Sequence, residues 1–241
     1  MRIEFWSDIV CPYCGLMDHR LRLALERFEH AGEVQVVHRS FQLHPDLPRE
    51  GVSQRRLLRQ HNVPARDAQR IFASIEGAAH AEGLDPYHAL DRTLGPTDYA
   101  HELLALATDQ GRGSEVWTAM FRAHFGARRE LWTKSQVLDF AAGTGLDRAE
   151  AAQVLDERRY RARVAADQRA AERLGARGMP FITLGGTHAV PGAVGTEALL
   201  VAMERAWEAA HPALRPLEVL GAAGDACGPD GCAVPPHRPM P

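Results

Sequence analysis

The strongest constraint on the fold of this chain is where its strand-like segments lie: at the two ends of a long helical stretch. "RIEFWS" (2–7) is built from β-formers and ends on Ser-Asp, a strand stop. From Cys11 to about His30, Leu16, Leu21, Leu25 and Phe28 recur at helical spacing, and "HAG" closes the helix at Gly32. "EVQVVHRSF" (33–41) alternates like a strand. Strand, helix and strand in that order imply a right-handed crossover with the two strands parallel.

Between about Ser53 and Gly175 the chain is rich in Ala, Leu and Arg at helical period. It is cut by "NVP", "GLDP", "LGPT", "DQGRGS" and "GTGLD". Thr133 with Gln136 and Asp147 with Glu150 resemble capping boxes, each opening a helix. The stretch reads as about five or six helices, without repeat, linker or low-complexity segment, and therefore as an insertion. At residue 179 the pattern changes. "MPFITLGGTHAVPG" holds two short strands, Phe181–Leu184 and Thr187–Val190, joined by Gly185-Gly186, a pair suited to the positive φ angles of a two-residue hairpin loop. Thr196 then caps a helix reaching about Ala210, with Leu199, Leu200, Met203 and Trp207 on one face. Beyond His211 the tail is rich in Pro, Gly and Ala. The order β-α-β, helices, β-β-α is that of an α/β thioredoxin-like fold interrupted by an all-helical insertion domain. The boundaries this predicts are 1–45 and 176–212 for the thioredoxin-like domain, 46–175 for the insertion and 213–241 for a tail.

Composition narrows the function classes. The chain of 241 residues is 45% hydrophobic, enough for a sizeable core, and its net charge of −3 favours neither nucleic acid nor an anionic membrane as partner. Residues 1–10 carry one Arg and a short apolar stretch with no small-residue cleavage site, short of a signal peptide's apolar core of roughly 7–15 residues. No run approaches the roughly 18 apolar residues of a membrane span. A cytoplasmic protein is expected. In a reducing compartment, four cysteines in two close pairs point to catalysis, redox sensing or metal.

The first pair, in "SDIVCPYC", stands between a strand and a helix. The first turn of a helix has unpaired N–H groups and about half a unit of positive charge. Both stabilise a thiolate, so Cys11 is expected to have a lowered pKa and to act as nucleophile. Pro12 suits the first helical position, which needs no N–H partner. Cys14, one turn on, is placed to resolve a mixed disulfide by attacking Cys11. A zinc knuckle would require a second Cys or His pair at compatible distance, and the twelve His form no H-x3-H or H-E-x-x-H pattern. A structural bridge across so short a loop would add little stability. A redox couple without metal is the favoured reading.

"SDIVCPYC" before an amphipathic helix, the helical insertion and "GMPFITLGG" together resemble the DsbA family, and among its members the FrnE-like branch of cytosolic thiol–disulfide oxidoreductases. The resemblance covers essentially the whole chain. It implies that Pro180 follows a cis peptide bond, faces the C-x-x-C and offers backbone groups to an extended substrate, with Met179 adding a flexible apolar contact. The alternative is a trans Pro180 that merely begins a strand. Pro12, Tyr13, Met179 and Pro180 are thus the candidate substrate-binding residues. Tyr13 departs from the His that the periplasmic oxidant carries between its cysteines. A phenol brings no positive charge, so a less extreme oxidant is expected. Asp8 has two readings, a proton shuttle for Cys14 or a local cap or turn residue; Trp6 is expected in the core.

The second pair, Cys227 and Cys232, brackets "GPDG", a strong turn sequence that can bring two sulfurs into disulfide range. FrnE-like proteins carry such a terminal C-x4-C, which implies a second redox pair that exchanges with Cys11–Cys14 or ties down the tail. A local staple and a metal site with His237 are the alternatives. The resemblance implies a dithiol–disulfide oxidoreductase or isomerase acting on protein or small-molecule disulfides. It requires no cofactor; glutathione is a candidate reductant or ligand, and a thioredoxin or glutathione system a candidate electron source. Two other readings stand beside it. One is a glutathione-dependent isomerase or transferase of the hydroxychromene-carboxylate isomerase or kappa class, whose members usually carry Ser where Cys11 stands. The other is a redox-regulated, chaperone-like binding protein.

Overall fold

In the computed structural model, which describes residues 1–212 and the backbone of Cys227–Gly228 and Gly231–Cys232, strand β1 (Arg2–Ser7) runs parallel to β2 (Gln35–Ser40), Arg2 opposite Gln35 and Ser7 opposite Ser40. The crossover between them is α1 (Pro12–Arg27), which buries Leu16, Met17, Leu21 and Ala24. This helix stops short of the expected Gly32. Phe28 leaves it in extended conformation (φ −77°, ψ 121°). Its ring packs edge-on against Trp207, 6.0 Å between centroids. Burial of one large ring outweighs continuation of the helical period, and a 3₁₀ turn (Ala31–Glu33) completes the connection.

The middle of the chain is helical with one exception. Two-residue strands β3 (Val52–Ser53) and β4 (Thr93–Leu94) pair antiparallel; strands this short carry no alternation that a sequence could show. Around them run α2 (Gln54–Gln60), α3 (Ala65–Ala81), α4 (Asp98–Asp109), α5 (Gly113–Phe121), a π-helical turn (Arg122–Gly126), α6 (Lys134–Gly143), α7 (Arg148–Glu157) and α8 (Arg161–Arg173). That makes seven α-helices here among the described residues, where periodicity suggests five or six. The extra break lies between α7 and α8. Arg158 there takes a left-handed conformation (φ 51°, ψ 38°), and neither Gly nor Pro marks the place. The capping box of Thr133 and Gln136 is formed at both ends. At α7 only half forms: Asp147 accepts from the Glu150 N–H at 2.7 Å, while the Glu150 carboxylate accepts from Gln110.

Helix α4 is the axis of this region, with Leu103, Leu104, Leu106 and Ala107 buried against Trp117, Phe125 and Trp132. Each such large apolar side chain contributes roughly 1.5–3 kcal/mol on burial. The last helix, α8, leaves the helical core and covers the sheet. The Trp6 indole N–H donates to the Asp167 carbonyl at 2.9 Å, and the Asp167 carboxylate accepts from Arg39 Nη1 and the Ser40 N–H. Trp6 is itself buried with Phe181 and Ala171.

Strands β5 (Phe181–Leu184) and β6 (His188–Pro191) close the sheet in the order β2-β1-β5-β6, with β5 antiparallel to both β1 and β6. Gly185 and Gly186 take positive φ (60° and 74°) as the turn requires. The loop is nevertheless three residues long, because Leu184 pairs with His188 and the Thr187 N–H turns back to the Leu184 carbonyl. Helix α9 (Thr196–Ala210) buries Leu199, Leu200, Met203 and Trp207. It packs with α1 over Ile3 and Phe5, on the face of the sheet opposite Trp6. Its N-cap is Gly195; Thr196 is the first helical residue and makes no capping bond. With a trio of β-β-α closing a β-α-β start, this is a thioredoxin-like fold carrying helices between its halves.

Residues Met1–His211 form one compact unit and Pro212–Pro241 another. In the second, β7 (Cys227–Gly228) and β8 (Gly231–Cys232) pair antiparallel, Cys227 opposite Cys232 and Gly228 opposite Gly231.

Candidate active site

Strand β1 ends at Ser7, and a turn of Asp8, Ile9 and Val10 delivers Cys11 to the N-cap of α1 (φ −83°, ψ 113°). Pro12 follows at the first helical position, where its missing N–H costs nothing. The Cys11 N–H donates to the Asp8 carbonyl at 3.1 Å, and the Cys11 carbonyl accepts the Cys14 and Gly15 N–H groups. Both cysteines are free thiols; Cys11 is 5% exposed and Cys14 fully buried. Tyr13, between them, is 41% exposed and lies on the surface.

The loop before β5 comes to the same point. The Met179–Pro180 peptide is cis, and the Cys11 thiol donates to the Met179 carbonyl at 3.5 Å across a sequence separation of 168. Asp8, Cys11, Pro12, Tyr13, Cys14, Met179 and Pro180 are therefore neighbours. The two sulfurs are not equivalent. Burial pushes the Cys14 thiol well up, and the adjoining Cys11 pushes in the same direction. Cys14 is thus held as a neutral thiol.

Asp8 is fully buried. Its Oδ2 accepts the Leu43 N–H at 2.7 Å, its Oδ1 accepts the Val10 N–H at 3.5 Å, and His101 Nε2 lies 3.4 Å from Oδ1. Burial pushes its carboxyl up, but His101 and the Leu43 N–H outweigh this and hold it below the usual carboxylate range. The Val10 contact is the local turn that a sequence can suggest; the Leu43 and His101 partners come from elsewhere in the fold.

Four further side chains reach this point from the helical stretch, and none carries a sequence signal. The Tyr87 hydroxyl donates to the Pro12 carbonyl, and its ring stacks on Phe125 at 4.7 Å. Gly15 makes this possible, since a Cβ there would lie 2.6 Å from the Tyr87 hydroxyl oxygen. Arg92 is buried and donates to the Val10 carbonyl (2.7 Å), the Ala89 carbonyl (2.7 Å), Gln54 Oε1 (3.2 Å) and His124 Nε2 (2.6 Å). Burial lowers its pKa to about 10, still far above neutrality, so it is a cation. Burial, then the Arg92 charge, pushes His124 down to about 3. His124 is therefore neutral and free to accept from Arg92. The fourth is His101, packed beside Trp117 at 5.5 Å.

A cavity of about 590 Å³ opens beside this site, between α1 and the helical stretch. Gly15, His19, Arg22, Tyr87, Phe121 and Phe125 line it; neither cysteine does. Among the described residues no group of three or more His, Cys, Asp or Glu is arranged to hold a metal ion. None of the described helices is long and apolar enough to cross a membrane. Cys227 and Cys232 stand opposite each other in backbone register in the second unit, and His237 lies outside the described residues.

Known proteins agree with this architecture. The DSBA-like thioredoxin domain family matches residues 2–204. A probable DsbA oxidoreductase from Streptomyces coelicolor is similar in structure, with a TM-score of 0.81 and 37% identity over 98% of this chain and 100% of that one. A 2-hydroxychromene-2-carboxylate isomerase shares the fold at 16% identity (TM-score 0.65, 88% of this chain and 98% of that one). So does the cytosolic disulfide reductase DsbM from Pseudomonas aeruginosa at 19% (TM-score 0.55, 88% and 98%). No match is found among curated proteins. With a family match across most of its length, a relative at this level of identity, and two cysteines at a helix N-terminus facing a cis-proline, the chain belongs to the DSBA-like thioredoxin domain family.

Proposed function

We propose that the protein is a cytoplasmic dithiol–disulfide oxidoreductase and isomerase of the FrnE-like branch, acting on protein or small-molecule disulfides. The observation that carries this reading is the asymmetry of the two sulfurs: Cys11 at the helix N-terminus on the Met179 carbonyl, Cys14 buried and protonated behind it. The Cys11 thiolate attacks one sulfur of a substrate disulfide, forming a mixed disulfide and releasing the other sulfur as a thiolate. Cys14 then gives up its proton, with the Asp8 carboxylate as acceptor, and attacks the Cys11 sulfur. The Cys11–Cys14 disulfide forms, the second substrate thiol leaves, and two electrons have passed to the substrate. A glutathione or thioredoxin system returns them to the enzyme. If instead a second substrate thiol attacks the mixed disulfide, the outcome is isomerisation with no net electron transfer. Met179 and Pro180 hold an extended substrate beside Cys11, with Pro12 and the exposed Tyr13 on the other side. Cys227 and Cys232 serve as a second redox pair.

Insulin reduction and refolding of scrambled ribonuclease, each with glutathione as reductant, test this reading. Cys11→Ser should fall to the uncatalysed background in both, while Cys14→Ser should accumulate a mixed disulfide seen by mass spectrometry. Glutathione conjugation that persists undiminished in Cys11→Ser, with no disulfide turnover in the wild type, would replace the reading by a glutathione-transfer one.

A further inference from the structure

We propose that Arg92, supplied by the helical stretch, is the countercharge of the Cys11 thiolate. The inference rests on the reading of Cys11 as the attacking sulfur. Its basis is an imbalance around Arg92. The side chain is 7% exposed, and all four of its hydrogen-bond acceptors are neutral: two carbonyls, the Gln54 amide oxygen and an unprotonated His124. Among the described residues no carboxylate lies within ion-pair distance of it. A buried charge without a partner is costly, and native structures normally pair it.

The ionisable groups that face Arg92 are Asp8 and Cys11 from the turn before α1, Glu76 from α3, Tyr87 from the segment after α3, His124 from the π-helical turn, and His44 from the loop after β2. Most are already committed. Asp8 is held by Leu43 and His101. The Glu76 carboxylate accepts the Ala89 and Leu90 N–H groups at 2.7 and 3.1 Å. Burial keeps the Tyr87 phenol protonated, and burial likewise disfavours a charged His44. Behind Cys11, Cys14 is held as a thiol. Cys11 is the one among them whose charge sets the attacking state, neutral as thiol or disulfide and negative as thiolate; Asp8 gains a proton only when Cys14 resolves the mixed disulfide.

Position makes the coupling effective. Arg92 Nη2 donates to the carbonyl of Val10, the residue before Cys11, and the guanidinium is fixed over the Phe125 ring at 4.8 Å. Away from water and salt, its charge is screened little. The positive charge that Tyr13 cannot supply from the surface is thus supplied from beneath. Stabilising the thiolate favours the reduced form, so Arg92 makes the Cys11–Cys14 couple more oxidising than the C-P-Y-C sequence alone implies.

Two variants of the full chain test this. Arg92→Gln removes the charge. Gln54→Glu keeps Arg92 and sets a carboxylate where an amide oxygen now stands 3.2 Å from it, so it reports even if Arg92→Gln does not fold. The readouts are the pH profile of Cys11 alkylation by iodoacetamide, followed by mass spectrometry, and the equilibrium of the Cys11–Cys14 couple with glutathione. In both variants the alkylation midpoint should rise by roughly one pH unit or more. That is about tenfold less thiolate at a given pH below the midpoint, and the dithiol equilibrium should become correspondingly less oxidising. Unchanged midpoints and equilibria, with only a lower melting temperature, would reduce Arg92 to a structural tie and overturn the proposal. If the midpoints shift but the wild type turns over no disulfide, the functional reading fails while the countercharge stands.

Discussion

The sheet layer and the helical stretch both meet at Cys11, and they bring different things. The sheet layer brings backbone and sulfur: the first turn of α1, the Met179 carbonyl and the cis bond to Pro180. The helical stretch brings side chains that carry charge or a ring: Tyr87 on the Pro12 carbonyl, Arg92 on the Val10 carbonyl, His124 behind Arg92 and His101 beside Asp8. The groups that make and break bonds thus come from one region and much of the electrostatic setting from the other. Such a division lets the setting change while the reacting sulfurs stay in place.

Acid should strain the helical side of this contrast most. Unfolding returns His124 from a folded value of about 3 to its ordinary 6.5. Between those values the unfolded chain holds a proton that the folded one lacks, so stability falls as pH drops from about 6.5 towards 3. The slope should approach one proton, about 1.4 kcal/mol per pH unit. Burial holds Glu102 and Asp167 above the usual carboxylate range, and they act oppositely near the lower end, but they are common to wild type and variant. Urea unfolding of wild type and His124→Gln at a series of pH values should show the shallower slope in the variant. Equal slopes would mean that His124 carries no such burden.

The seam between the regions is the next test. In Gly15→Ala the new Cβ would lie 2.6 Å from the Tyr87 hydroxyl oxygen and 3.0 Å from the Phe125 ring. Overpacking of this kind costs roughly 1–3 kcal/mol, read from the urea midpoint. A neutral result would show that α1 and the helical stretch do not pack rigidly here.

The smallest effect sharpens the contrast from the far side. Thr133→Ala removes the cap of α6 and should cost about 1 kcal/mol. The pH profile of Cys11 alkylation should not move. If it does, the stability of the helical stretch as a whole, rather than the four side chains at the seam, sets the chemistry, and the contrast drawn above collapses.

Local signals in the sequence determined the β-α-β start, the β-β-α close, the helical interior, the Thr133 capping box and the place of Cys11 at a helix N-terminus. Each rests on residues a few positions apart: a period, a cap, a Pro beside a Cys. Where a local rule was incomplete, the structure departed from it. Phe28 left α1 to bury its ring against Trp207, Arg158 broke a helix in a conformation that no Gly announced, and Thr187 joined the hairpin loop. The surroundings of the dithiol were decided by tertiary structure alone. Arg92 is one arginine among many in the chain, and it meets Val10 across a separation of 82 residues. Whether it faces water or the buried turn before Cys11 depends on how the helices pack, because burial and an unpaired charge are properties of the assembled core.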